Sequence, residues 1–359
     1  MCLMTDVIRV SPDNPEPAAL ARAAECLRRG GLVAFPTETV YGLGVNALDR
    51  EAVRRLFAAK QRPVNDPLIV HVTSIDSIAA LASRVPDVVE TLGRRFWPGP
   101  LTLIVPRSPQ VPDEVTAGLS TVAVRVPLHP VARALIDAAA VPVAAPSANL
   151  FSRPSPTLAS HVIDDLGGRI DLVVDGGPTT IGVESTVLDL TSDPPTILRP
   201  GAVTADMLRE VLGRVDILPR AAARESKPDA GLPSPGLLEK HYSPRAELTL
   251  FEGGADAALS ALVNAARELL SKGRVVGIIA AEEDREELAS LASDRNALMC
   301  IIGSHDRPTD VATRLYATLR DLDSARAHAI LVHEFGDDGL GAAVQDRLRR
   351  AAAGRIVRA

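Results

Sequence analysis

FPTETVYGLGVNALDREAVRRLFAAKQRPVNDPLIVHV, running from Phe35 to Val72, passes through strand, turn, helix and strand within one short stretch. An apolar β-rich run ends at Pro36, a polar turn follows at Thr37-Glu38-Thr39, and a glycine pair comes next. The segment 50–60 then reads as an amphipathic helix. Asp49 can cap it, Glu51 suits its first turn, and Val53, Leu56 and Phe57 form one apolar stripe. Pro63 cannot continue a helix and disfavours helical backbone in the residue before it, so the helix stops near Lys60-Gln61-Arg62. The chain then enters a strand that carries His71.

The same alternation extends outward. Strands are expected at 32–35, 68–72, 101–105, 122–126, 141–144, 172–174, 187–190 and 196–198, with helical patterns at 17–29, 50–60, 75–83, 129–139 and 158–166. Residues 1–214 thus read as a mixed α/β domain. The Pro- and charge-rich stretch 215–245 has no clear period and reads as a linker, long enough to be functional in its own right. From Ala246 to Ala359 the pattern alternates strictly: strands at 247–251, 274–280, 297–302 and 328–333, helices at 256–271, 283–292, 309–322 and 340–352. That order predicts right-handed crossovers and a small doubly wound parallel sheet, a Rossmann-like domain. The chain shows no comparable cluster of polar residues on the strand ends of this second domain, so no active site is expected there.

With 359 residues, 46% hydrophobic and 23% charged, the chain has the makeup of a soluble two-domain globular protein. No apolar run approaches the ~18 residues of a membrane span. The first residues lack the basic and apolar blocks of a secretory leader, so a cytoplasmic location with no membrane partner is expected. Cys2, Cys26 and Cys300 are far apart and the seven histidines are dispersed. No metal-spaced pair is visible and no transition-metal site is expected; His333-Glu334 opens like a zinc-protease helix but lacks the second histidine. A net charge of −6 argues against a dedicated nucleic-acid binder, which needs a basic excess to neutralise phosphates.

Of the 20 basic residues between Met1 and Arg214, Lys60 is the only lysine. An ammonium meets a small anion as a point charge, where guanidinium is a planar fork. Lys60 and Arg62 at a helix exit suit a phosphate or carboxylate; they equally suit the negative end of the helix dipole. Gly42-Leu43-Gly44-Val45-Asn46-Ala47 fits the permissive dinucleotide pattern G-x-G-x-x-A, although the preceding Thr37-Glu38-Thr39 is too polar for the end of a buried central strand. No Walker loop is present. Ala144-Ala145-Pro146-Ser147-Ala148-Asn149 and Ser155-Pro156-Thr157 offer small hydroxyls and an amide for close approach to a ligand, or an ordinary Asn/Ser/Pro turn. Arg125 sits on the otherwise apolar strand TVAVRVP, where it must pair, reach solvent or hold an anion.

In order, PTETVYGLG, KQRP with DPLIVHV, VAVRVP, APSAN with SPT, ESTVLDL and ILRPG make the segment 14–214 resemble the YrdC-like family. SPGLLEKHYSP and the α/β tail resemble its two-domain members. The resemblance implies a twisted open sheet around a basic cavity and an enzyme that condenses L-threonine, bicarbonate and ATP into threonylcarbamoyl-adenylate plus diphosphate. The product would feed modification of the adenosine beside the anticodon through a downstream tRNA-modifying machinery, with weak or no direct tRNA binding by this chain. By motif, the resemblance places Thr39, His71, Arg125 and Ser185 at threonine. It places Arg62, Asp66, Thr121, Ser147, Ser155 and Arg199 at ATP, with Ala145 and Asn149 in the same wall. Lys60 would join Arg62 as a catalytic cation, Mg²⁺ is expected on the phosphates, and His241 and Tyr242 look like a lid. Gln61, Asp66 and Phe151-Ser152 depart from the usual Gly, Asn and Ser-Gly. Another carbamoyl-adenylate transferase and a non-catalytic RNA-binding module are the competing readings.

Overall fold

The computed structural model describes residues 4–219, 231–238 and 240–359. Residues 220–230 and Glu239, parts of the linker and of the expected lid, lie outside the described residues. Two compact units emerge: Met1–Phe151 with Ser155–Leu237, and Ser152–Pro154 with Leu238–Ala359.

The first unit is built on strands β1 (Asp6–Arg9), β2 (Val33–Pro36), β3 (Tyr41–Asn46), β4 (Ile69–His71), β5 (Leu101–Pro106), β6 (Thr121–Arg125), β7 (Val143–Ala144), β8 (Leu172–Asp175), β9 (Thr186–Asp189), β10 (Thr196–Arg199) and β11 (Asp216–Ile217). They form one mixed sheet in the order β1-β8-β2-β3-β7-β4-β6-β5-β9-β10-β11. Consecutive residues from Leu32 into β2 serve opposite cores. Val33 and Phe35 pack with the helices Pro17–Arg28 and Pro130–Ala139, while Leu32 and Ala34 join the larger core on the other face. A strand covered on both faces is apolar throughout, as this one is. Helix Arg50–Lys60 begins where expected, with the Asp49 side chain accepting from the Glu51 and Ala52 amides.

The glycine pair is not a phosphate-binding turn. Gly42 and Gly44 lie within β3, antiparallel to β2 across the turn at residues 37–40. A Cβ on Gly44 would lie 2.6 Å from Phe35 Cε1 and 2.8 Å from Val143 Cγ1. The glycine is there to admit the Phe35 ring, and the dinucleotide reading of this segment falls. Helices Val88–Phe96 and Ala205–Leu212 were not anticipated.

The second unit carries β12 (Glu247–Glu252), β13 (Val276–Ala280), β14 (Ala297–Ile301), β15 (Ala329–His333) and β16 (Ile356–Arg358), ordered β14-β13-β15-β12-β16. Every pairing is parallel, as strand–helix alternation requires. The helix expected at 283–292 shrinks to a 3₁₀ turn at Glu282–Asp284 and one turn at Arg285–Leu288. Among the described residues no helix is long and apolar enough to cross a membrane.

Candidate active site

Strand alternation sorts the side chains of β4 and β6. Val70, Val122 and Val124 enter the large core, whereas Ile69 and Ala123 belong to a small apolar cluster with Ile104, Val187 and Leu198. Ile69 pairs with Ala123 and His71 with Arg125, so His71, Arg125 and Thr121 share the face of that small cluster. Thr121 and Arg125 stand at opposite ends of β6, about 13 Å apart at the strand rise per residue. Arg199 reaches the same face through an irregularity. Ile197 opposes Leu188 and Arg199 opposes Val187, with the register shifting between them. This bulge turns Arg199 from the core side to the side of Val187.

At one end of this face lies a buried charge pair. The Arg125 guanidinium contacts Glu38 Oε1 at 2.7 Å and donates to Thr39 Oγ1 at 3.0 Å and to the Gly99 carbonyl at 3.2 Å. Arg125 and Glu38 are each 3% exposed. Thr39 is held in turn by Thr37, 2.8 Å away between hydroxyls. Ser185 Oγ lies 2.8 Å from Thr102 Oγ1 and accepts from Arg199 at 3.1 Å; Arg199 also donates to the Ser185 carbonyl.

The helix exit forms a second cluster. Lys60 is buried, and its ammonium donates to the carbonyls of Ser147 and Asn149, joining the helix to the APSAN loop. The same loop is tied to β3 through Leu43 N–H to Pro146 O and Ala148 N–H to Tyr41 O, and to β4 through Ala145 N–H to Ile69 O. Ser147 Oγ donates to Asn149 Oδ1. Arg62 donates to the Asp66 and Pro67 carbonyls and contacts the Asp66 carboxylate at 2.9 Å. Burial pushes the Asp66 carboxyl above the usual range, against the pull of Arg62. Asp66 thus stands beside Arg62 as its buried counter-charge. Ser155 is fully buried and donates to Glu184.

Two departures from the family pattern share one geometry. Gln61 caps its helix at φ 54° and Ser152 sits at φ 66°, both in the left-handed region where the usual glycine is unstrained.

The linker contributes to the first unit through Gly231–Leu237. Leu232 N–H donates to the Asn65 carbonyl at 2.9 Å and Arg199 donates to the Pro235 carbonyl at 3.4 Å. His241 and Tyr242 belong to the second unit. Tyr242 is 1% exposed, its ring 5.5 Å from that of Tyr316, with Arg347 over its face and His241 at its edge. Glu38, Thr102, Glu184 and Pro235 are the contributors that sequence reasoning missed. Glu38 lay inside the quoted PTETVYGLG motif, Glu184 inside ESTVLDL and Pro235 inside SPGLLEKHYSP; Thr102 had no signal short of the tertiary pairing.

The second unit overturns one expectation. Asp284, His305 and His333 converge at its strand ends, although they are dispersed in the sequence.

Burial, reinforced by the Arg125 charge, lowers the pKa of His71 to about 3. The folded protein keeps this ring neutral while the unfolded chain protonates it below its ordinary value of 6.5. Stability is therefore fully present above pH 6.5 and declines as pH falls toward 3, by up to about 1.4 kcal/mol per pH unit. Urea unfolding between pH 7 and 5 should show this slope in the parent and a flatter one in His71→Asn. Equal slopes would refute it.

Residues 25–201 match the Sua5/YciO/YrdC family model, described as telomere recombination, and residues 203–353 match the threonylcarbamoyl-AMP synthase C-terminal domain. The chain is 42% identical over 356 residues to the threonylcarbamoyl-AMP synthase of Pyrococcus abyssi, covering 99% of this chain and 100% of that one. It is 43% identical to that of Bacillus subtilis, covering 97% and 96%. The crystal structure of P. abyssi Sua5 complexed with L-threonine superposes with a TM-score of 0.90 at 41% identity, covering 99% of this chain and 100% of the other.

Proposed function

The chain belongs to the Sua5/YciO/YrdC family in its two-domain form, and on that premise we propose that it condenses L-threonine, bicarbonate and ATP into L-threonylcarbamoyladenylate, diphosphate and water. The observation that carries the residue assignment is the buried Arg125–Glu38 pair beside Thr39, on the sheet face that also holds Arg199. One buried charge of each sign matches a zwitterionic amino acid, and a guanidinium fork suits its carboxylate. His71 and Ser185 complete the threonine end. Arg62, Thr121, Ser147, Ser155 and Arg199, with Ala145 and Asn149 in the wall, serve ATP; Asp66 acts by orienting Arg62.

Threonine's amine adds to bicarbonate with loss of water, giving a carbamate. A carbamate oxygen then attacks the α-phosphorus of ATP, and diphosphate leaves. Such a transfer requires positioning and neutralisation of charge more than covalent help. Lys60 and Arg62 supply fixed positive charge at the phosphates. Mg²⁺ would be carried in on the phosphate oxygens of ATP, where it would help neutralise their charge. The product serves modification of the adenosine next to the anticodon in tRNA, carried out by a downstream transferase in the cytoplasm.

Incubation with ATP, threonine and ¹³C-bicarbonate should yield one labelled carbon in the adenylate by mass spectrometry. Diphosphate release that is indifferent to threonine, or a product without label, would discard this reading in favour of another carbamoyl-adenylate transferase. Serine should be used ~10–200-fold less well than threonine, the worth of one methyl in an apolar pocket. Valine should be rejected more strongly, because a group that reads the hydroxyl is left unpaired. Comparable rates with valine would show that the hydroxyl is not read.

Residues 231–245 form the lid of this site, His241 and Tyr242 included, excluding water from the carbamate and the mixed anhydride. The contacts of Leu232 and Pro235 with Asn65 and Arg199 support that role for the first part of the segment. His241→Ala combined with Tyr242→Ala should retain ATP binding and lose most product. Full turnover by the folded double variant would leave these two side chains outside the lid.

A further inference from the structure

In the second unit, β13 sends its chain to β14 on one side, whereas its neighbour β15 sends its chain to β16 on the other. Crossovers leaving in opposite directions open a crevice at the carboxyl ends of these two strands, the position where open α/β sheets receive ligands. Asp284 follows β13, His333 ends β15, and His305 follows β14. All three reach this crevice, and one ligand atom of each lies within 4.8 Å of the other two.

His333 Nε2 is 2.6 Å from Asp284 Oδ2, and His305 Nε2 is 4.0 Å from Asp284 Oδ1. Asp284 and His333 are 5% and 0% exposed, while the His305 side chain is 29% exposed and forms the open side. Among the described residues, His305 Nε2 and His333 Nδ1 are buried without a hydrogen-bond partner. The surroundings hold these groups in place. Ala281 N–H donates to Asp284 Oδ2 at 2.6 Å, and Glu283 accepts from Ser304 Oγ and from the His305 amide. The Phe335 ring lies 5.4 Å from that of His305 and 5.5 Å from that of His333.

We infer that Asp284, His305 and His333 form a divalent transition-metal site in the C-terminal unit. Two imidazoles and one carboxylate suit Zn²⁺, Co²⁺, Ni²⁺ or Fe²⁺, whereas Mg²⁺ and Ca²⁺ prefer all-oxygen shells. Bonds of about 2.0–2.2 Å place two ligand atoms roughly 3.3–3.5 Å apart, so a metal would replace the 2.6 Å His333–Asp284 hydrogen bond and draw the partly exposed His305 ring in from 4.0 Å. The carboxylate and the His305 loop are anchored by the outer contacts that metal sites need. Three protein ligands leave at least one position for water or an outside donor, the pattern of reactive rather than purely structural sites. The site is separate from the adenylate chemistry and does not depend on it.

Full-length protein stripped with chelator should bind one equivalent of Zn²⁺ in calorimetry with the metal alone. Co²⁺ should give visible absorption bands in the same stoichiometry. His305→Ala, partly exposed and expected to fold, and Asp284→Asn should each weaken Zn²⁺ binding by at least 100-fold and abolish the Co²⁺ bands; loss of an outer partner alone costs 10–100-fold. Circular dichroism verifies folding, and threonine-dependent diphosphate release by His305→Ala should match the parent. Absence of stoichiometric Zn²⁺ binding in the parent, or undiminished binding in folded variants, overturns the site and leaves an Asp284–His333 hydrogen bond of structural use only.

Discussion

Lys60→Ala and Arg62→Ala are each expected to lower adenylate formation by ~10²–10³-fold, the usual cost of removing one preorganised donor from a site of developing charge. The two losses should differ in kind. The Lys60 ammonium is buried and tied to the carbonyls of Ser147 and Asn149. Alanine would leave both carbonyls without that donor and loosen the APSAN loop, at a cost of about 1–3 kcal/mol for each stranded group. Arg62 is held by Asp66 and Pro67, so its removal strands a buried carboxylate instead. Arg62→Ala should therefore weaken ATP binding, and Asp66→Asn added to it should recover stability without recovering rate. Threonine-dependent diphosphate release, paired with urea unfolding, checks both. A folded single variant turning over at the parental rate would remove that residue from the site.

Arg125→Ala should be the most damaging single change to the threonine end. It leaves the Glu38 carboxyl buried without its guanidinium partner, a situation that typically costs about 3–5 kcal/mol. It also releases Thr39 and the Gly99 carbonyl from their shared donor. Threonine dependence should no longer saturate in the accessible range. Arg125→Lys restores the charge but not the fork, so it should recover stability more than it recovers threonine affinity. Glu38→Gln in the Arg125→Ala background removes the stranded carboxyl and should raise the unfolding midpoint again. Unfolding unchanged in Arg125→Ala, together with an unaltered KM for threonine, would contradict the pairing as the origin of both effects.

Most of the first unit's site was legible because its motifs are local. KQRP at a helix exit, Arg125 on an apolar strand and the solitary Lys60 each announce a charged group where a charge is costly. Packing explains what the sequence left open or hid. GLG fits a phosphate turn as well as a strand, because a glycine that admits a phenyl ring and a glycine that admits a phosphate are written alike. The C-terminal unit looked devoid of a polar cluster, because Asp284, His305 and His333 come from three different strand ends.

Hydrophobic periodicity and capping residues act over a few positions, so the sequence by itself determined the α/β class, the parallel C-terminal sheet and the order of the motifs. Only the tertiary structure decided which side chains share a face. The register of β4 against β6 puts His71 beside Arg125, the bulge in β10 turns Arg199 toward Val187, and the reversal of crossovers between β13 and β15 brings two histidines to one carboxylate. Register and strand order are set by long-range pairing, and a shift of one residue would send each of these side chains to the opposite face.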